Sequence, residues 1–183
     1  MEKKQFIVTI FSENTVGLLN QISIIFTRRQ LNIETLSVSP SAIEGVHKFT
    51  ITTVTDRETI EKVVKQIDKR IDILKAYFNT PEELIVQEVA LYKLSTTAVT
   101  QQGAFEPMLR KHNARVLEIT PDFIVLERTG TYEQTQALFA ELSQGGIGVL
   151  QFIRSGIVAI TRSKVERLTD MLNHIERRIQ SES

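Results

Sequence analysis

A short charged start leads into a run of six residues broken by no charge. Phe6-Ile7-Val8-Thr9-Ile10-Phe11 is wholly β-branched or aromatic, which predicts a buried strand. Ser12-Glu13-Asn14-Thr15 then supplies short polar side chains of the kind that cap helix N-termini. From there the period changes. Leu18, Leu19, Ile22, Ile25 and Phe26 recur at helical spacing and make one apolar stripe. Arg28 and Arg29 end it where cations suit the negative pole of a helix. Residues 32–38 read as a second strand that stops before Pro40, and residues 40–45 as a hairpin connection. Residues 46–54 return as a strand with Phe49, Ile51 and Thr53 on one face. Thr55-Asp56 starts a helix over residues 57–69 with Ile60, Val63, Val64 and Ile67 inward, and residues 71–78 close the unit as a strand. The order is β-α-β-β-α-β, the split βαβ arrangement of ferredoxin-like folds.

Residues 79–85 form a polar, Pro-containing joint, after which the pattern begins again. Val89, Leu91 and Leu94 repeat the strand character of Val8 and Ile10. Residues 106–112 suit a short helix. Asn113 to Pro121 mirrors Asn32 to Pro40, with the same spacing of Asn and Pro. Residues 123–127 predict the hairpin return, 132–143 a helix and 148–153 the closing strand. The expectation is an α+β chain of two tandem ferredoxin-like units at 1–78 and 86–162. A helical tail at 163–183 follows, with Val165, Leu168, Leu172, Ile175 and Ile179 spaced three and four apart. That seam suits a terminal helix on its own domain or an oligomer contact.

Composition narrows the function. The 183 residues carry 22 Lys plus Arg against 22 Asp plus Glu, so an electrostatic grip on nucleic acid is not expected. With no cysteine, thiolate metal sites, disulfides and cysteine nucleophiles are excluded. No stretch approaches the ~20 apolar residues of a membrane span and no leader is evident, which leads us to expect a cytoplasmic protein.

Catalytic patterns are missing too. His47, His112 and His174 are scattered, without a neighbouring ligand at metal-binding spacing. Gly145-Gly146-Ile147-Gly148 follows a helix and precedes a strand, the reverse of a phosphate cradle, so it predicts a helix stop and turn. One segment has a chemical rationale. Asn14, Gly17, Leu18 and Leu19 form the first strand-to-helix turn, where exposed amides attract a carboxylate and a glycine admits close approach. Asn14 could bind that anion or cap the helix, and Asn32 could contact a ligand or serve a turn.

The same residues carry a resemblance. Asn14-Thr15-Val16-Gly17-Leu18-Leu19, then Phe26, then Leu31-Asn32-Ile33-Glu34-Thr35-Leu36-Ser37-Val38, then Thr52-Thr53-Val54-Thr55-Asp56, resembles the ACT domain of the regulatory (small) subunit of acetolactate synthase. Val86 to Leu94, Ile119-Thr120-Pro121, Arg128-Thr129-Gly130 and the stretch Phe152 to Arg162 with Arg154-Ser155-Gly156 resemble that family's second domain.

The resemblance implies an N-terminal ACT domain, a C-terminal small-subunit domain and no active site of its own. It implies no cofactor in this chain. The partner would be the catalytic large subunit, which uses thiamine diphosphate, Mg and FAD. The small subunit would raise its activity and make it sensitive to valine. It also implies a homodimer through the ACT domains. Asn14, Gly17, Leu18 and Leu19 of one chain would hold the effector carboxylate, and Asn32 and Ile33 of the partner its amino group and side chain. Val16 and Leu18 are bulkier than the family's usual residues there. Two rivals remain open at this point: a free-standing tandem ACT-type sensor acting on transcription, and a small ferredoxin-like enzyme.

Overall fold

A computed structural model describes residues 2–100 and 105–162. The tail read as a helix at 163–183 lies outside the described residues. The described residues form two compact units, one of residues 2–85 with 159–162, the other within Val86–Val158.

The first unit runs β1 (Lys4–Glu13), α1 (Leu18–Arg28), β2 (Thr35–Pro40), β3 (Val46–Thr55), α2 (Arg57–Asp68), β4 (Ile73–Asn79). Its sheet has the order β2-β3-β1-β4, and every neighbouring pair is antiparallel. Register follows the apolar pattern. Val8 lies opposite Ile51 and Phe78, and Ile10 opposite Phe49 and Ala76, so these six side chains share one face. Ile22, Ile25 and Phe26 of α1 and Ile60, Val63 and Ile67 of α2 bury against that face. Each such aliphatic or aromatic side chain contributes about 1.5–3 kcal/mol on leaving water. α2 starts as its sequence predicts, with Asp56 Oδ1 accepting from the Thr59 amide at 2.9 Å.

Three boundaries differ from the pattern. β2 begins at Thr35, not Asn32, although Glu34 N still donates to Thr52 O at 2.8 Å. It also runs through Pro40, which an edge strand tolerates because no ladder amide is missed there. β4 begins at Ile73, since Ile73 N donates back to Arg70 O in a turn that extends α2 and leaves Ile71 exposed. The β3 face opposite Phe49 and Ile51 is closed as well: Thr50 and Thr52 are buried, and on that face Lys48 Nζ donates to Ala159 O at 2.6 Å.

The joint is shorter than its polarity suggests. Asn79 still belongs to β4 and Leu84 already opens the next strand, with one 3-10 turn, Pro81–Glu83, between them. The second unit is built on β5 (Leu84–Ser95), α3 (Thr96–Thr100), α4 (Phe105–His112), β6 (Arg115–Ile119), β7 (Phe123–Gly130), α5 (Tyr132–Gln144) and β8 (Val149–Thr161), of which the ends at Leu84–Ile85 and Ala159–Thr161 belong to the first unit. The sheet order β6-β7-β5-β8 repeats that of the first unit. Both sheets thus realise the two ferredoxin-like units expected. The short helix α3 falls in a stretch that shows no clear period.

Ala90, Tyr92, Leu94, Leu126, Leu138 and Leu142 fill the second core. The ring of Phe152 stacks between Tyr92 and Phe139, with centroids at 5.0 and 4.6 Å. α5 ends at Gly145, and Gly146 takes φ 73°, so the glycine stretch does make a helix stop. The mirrored asparagines do not share a role. Asn113 takes the left-handed turn after α4, whereas after α1 that conformation falls on Gln30.

Candidate functional site

The turn from β1 to α1 is tied down by main-chain bonds. Asn14 N donates to Gly45 O at 3.2 Å, Thr15 N to Glu13 O at 3.0 Å, and Leu18 N to Thr15 O at 3.3 Å. Capping by Asn14 does not occur. Gly17 occupies the cap position with φ 84°, and no side chain caps the helix. Its amide-forming neighbours explain the choice of residue: the chain must turn left-handed to enter α1, which costs an L side chain about 1–2 kcal/mol. A Cβ added to Gly17 would meet nothing within 4 Å, so the space above the turn is open.

What faces that space is chemically simple. The first-turn amides of Leu19 and Asn20 precede any intrahelical acceptor, and no backbone bond among the described residues takes them up. The Asn14 side chain is exposed and makes no hydrogen bond among the described residues. The Leu18 side chain is buried in the core and its amide is taken by Thr15 O, so Leu18 shapes the turn rather than offering a group to it. Leu19 is 44% exposed. Free N–H groups on a helix start, one carboxamide and one apolar side chain suit a small molecule carrying a carboxylate and an aliphatic group.

Asn32 and Ile33 lie elsewhere in the same chain. They follow α1, whose 11 residues span about 16 Å, so they sit at its opposite end. Thr53 Oγ1 donates to Asn32 O at 2.7 Å and fixes its main chain. The Asn32 side chain points to solvent, and Ile33 packs half-buried on the first core. Next to them, β2 is an edge strand of its sheet. One chain therefore brings together Asn14, Gly17, Leu18 and Leu19, and separately Asn32 and Ile33, but not the two sets.

A second polar cluster escaped the sequence reading. In the second unit Glu88 is buried, with its side chain 0% exposed, and Arg154 meets it with two bonds, Nε to Oε1 at 2.8 Å and Nη2 to Oε2 at 2.7 Å. Thr135 Oγ1 donates to the same carboxylate at 2.5 Å, and Tyr92 OH donates to Thr135 O at 2.7 Å. Burial pushes the Glu88 carboxyl up, but the Arg154 and Thr135 hydrogen bonds and the Arg154 charge outweigh it and hold it below its ordinary value. The Tyr92 phenol is pushed up to about 12, first by burial and then by the Glu88 charge. A signal for this cluster did exist. Glu88 shares the inward parity of Ala90, Tyr92 and Leu94, and a carboxylate on a core-facing position needs a cation.

Among the described residues no group of three or more His, Asp or Glu could hold a metal ion. No helix among them is long and apolar enough to cross a membrane.

Comparison with known proteins matches both units. Residues 8–75 match a family model described as an AHAS small subunit-like ACT domain, and residues 87–163 one described as the small subunit of acetolactate synthase. The chain is 30% identical over 165 residues to the acetolactate synthase small subunit of Bacillus subtilis, covering 88% of this chain and 92% of that one. It is 28% identical over 162 residues to a probable acetolactate synthase small subunit of Methanothermobacter thermautotrophicus, covering 88% and 95%. The crystal structure of the acetolactate synthase small subunit from Thermotoga maritima superposes with a TM-score of 0.77 at 24% identity, covering 88% of this chain and 99% of that one.

Proposed function

The chain belongs to the acetolactate synthase small-subunit family, and from that membership we propose that it is the non-catalytic regulatory subunit of an acetolactate synthase. It activates a thiamine-diphosphate-dependent catalytic subunit, which carries the Mg and FAD as well, and confers feedback inhibition by valine in branched-chain amino acid synthesis. Residues 1–78 act as the ACT regulatory domain, 79–85 as the joint and 86–162 as the small-subunit domain.

The observation that carries the effector site is the split described above. The anion-attracting turn at Asn14–Leu19 and the polar pair Asn32–Ile33 are held about 16 Å apart by α1. A valine that uses both must lie between two chains. Two copies that pair through the β2 edges satisfy the open ladder and bring the start of one α1 toward the partner's Asn32. The carboxylate of valine then takes the free amides after Gly17 and the Asn14 carboxamide, while Asn32 meets the ammonium and Ile33 the side chain. Valine inhibits only if it binds the inhibited assembly more tightly than the active one, since equal affinity shifts nothing.

The test adds the purified chain to an acetolactate synthase catalytic subunit and assays product with and without valine. Stimulation that valine reverses is expected. Gly17→Asp places a negative group where the carboxylate sits, so stimulation should persist while valine loses its effect. A folded Gly17→Asp protein with full valine sensitivity rules out the assigned site. Lack of both stimulation and association rules out the function and favours a free-standing sensor.

A further inference from the structure

We infer that the outer sheet face of the first unit, turned away from α1 and α2, is the docking surface for this chain's own tail, residues 163–183, through the seam Val165, Leu168, Leu172, Ile175 and Ile179. The tail lies outside the described residues; the face does not. Ile7 and Thr9 of β1 build it, opposite Thr52 and Thr50 of β3. Alternation along the strands sets these four on the side away from Val8, Ile10, Phe49 and Ile51. Ile7 and Thr52 are each 1% exposed, and Thr9 and Thr50 are buried with them. The Thr52 hydroxyl is paired with that of Thr35 at 2.7 Å, so a methyl group is its remaining surface.

The occupant follows from three observations. First, the burial exists within a single chain, so neither bulk solvent nor a second copy is what meets the face. Neighbouring strands of a sheet do not bury its face, and both helices of the unit pack on the other side. In the second sheet, by contrast, Leu91 and Ile153 on the side away from the core stay exposed. Second, the described chain ends at the margin of the buried patch. Lys48 lies on the same side as Thr50, and its Nζ donates to Ala159 O at 2.6 Å; burial pushes that amine below its ordinary value. Arg162 Nε donates to Leu84 O at 3.1 Å, just past Asn79, which pairs with Ile7 in the sheet. Third, the tail has the length and the chemistry. At helical rise residues 165–179 reach about 21 Å, more than the ~14 Å between the outermost of four strands. Its seam offers an aliphatic stripe to a face of methyl groups. The family match ends at residue 163, so this cover is not part of the two matched domains. It leaves the β2 edge free for the pairing proposed above.

Thiol labelling of the full chain tests this. The chain has no cysteine, so Thr50→Cys places a single thiol inside the patch and Val54→Cys a single thiol at the exposed end of the same face. The readout is the rate of reaction with an aromatic disulfide, with circular dichroism to show that each variant is folded. Thr50→Cys should react about tenfold or more slowly than Val54→Cys. Adding Leu168→Glu and Leu172→Glu should remove most of that difference, because a charged seam cannot stay against a dry face. Arg177→Glu, off the seam, should leave the rate unchanged. Leu172→Ala introduces no charge and should also speed the reaction, which decides the matter if the double variant does not fold. Protection that persists in the folded seam variants overturns the inference and gives the cover to other residues of the chain. Protection that grows with protein concentration overturns it in favour of a second copy. A Thr50→Cys thiol as reactive as that of Val54→Cys overturns it as well, since nothing then covers the face. No catalytic subunit enters the measurement, so its outcome is independent of the proposed function.

Discussion

Replacing Arg154 by Met should destabilise the second unit by about 3–5 kcal/mol, the cost of leaving one member of a buried ion pair behind. The size follows from an asymmetry within the pair. The Glu88 side chain is 0% exposed and that of Arg154 26%. Without Arg154 the carboxylate keeps only the Thr135 hydroxyl and has no route to water. Removing the other partner is milder. In Glu88→Leu the guanidinium can turn outward, and leucine fills the vacated apolar volume, so about 1 kcal/mol or less is expected. The double variant should be close to Glu88→Leu.

Acid sharpens the distinction. In the unaltered chain the folded carboxyl of Glu88 titrates below its ordinary value of 4.5. Its contribution is therefore present above that pH and lost as pH falls through the folded value. In Arg154→Met both Arg154 contributions are gone, and burial, opposed only by the Thr135 hydrogen bond, raises the titration of Glu88, so the folded state prefers the proton. The deficit of the variant should shrink on acidification toward pH 4, while the unaltered chain loses stability. Urea unfolding between pH 7 and pH 4 measures this, with tyrosine emission as the probe. The chain has three tyrosines and no tryptophan, and Tyr92 and Tyr132 both lie in the second unit. Equal costs for Arg154→Met and Glu88→Leu, or a deficit that stays constant with pH, would refute the reasoning.

The Tyr92 phenol, pushed up to about 12, gives a prediction at the other end of the scale. Its folded value is raised, so the second unit keeps the full contribution below the ordinary value of 10.0 and loses it as pH rises toward 12. Tyr92→Phe should flatten the fall of stability above pH 10 seen by circular dichroism; an unchanged alkaline slope contradicts the assignment. Thr53→Val removes the 2.7 Å hydrogen bond to Asn32 O at little change in volume, at a cost of about 1 kcal/mol. Stimulation of the catalytic subunit should be unchanged while the half-maximal valine concentration rises about fivefold. A normal valine titration would separate Asn32 from the effector site.

The element order was legible along the chain because its causes are local. Continuous β-branched runs such as Phe6–Phe11 and period-3.6 stripes such as Ile60–Ile67 report which stretches or faces are dry, and repetition of that order after residue 85 gave the second unit. The candidate effector turn was legible for the same reason, since Asn14 and Gly17 are neighbours. The reason for Gly17 was not: a φ of 84° is a property of how α1 docks on the sheet, and the residue itself fits open space. One boundary moved where a turn hydrogen bond decided it, as Ile73 N to Arg70 O does ahead of β4.

The Glu88–Arg154 pair marks the limit most clearly. Sequence placed Glu88 on a strand and Arg154 in a family-like block, 66 residues apart. Parity along β5 says that Glu88 points inward, but nothing local names the cation that meets it. Only the pairing of β5 beside β8 in the folded sheet sets the two at hydrogen-bond distance and turns the remaining face of Arg154 toward the Tyr132 ring. Hydrophobic pattern fixes which faces are buried because burial is paid for residue by residue. The partners of a buried charge are fixed by register between strands distant in sequence, which exists only once the sheet has formed.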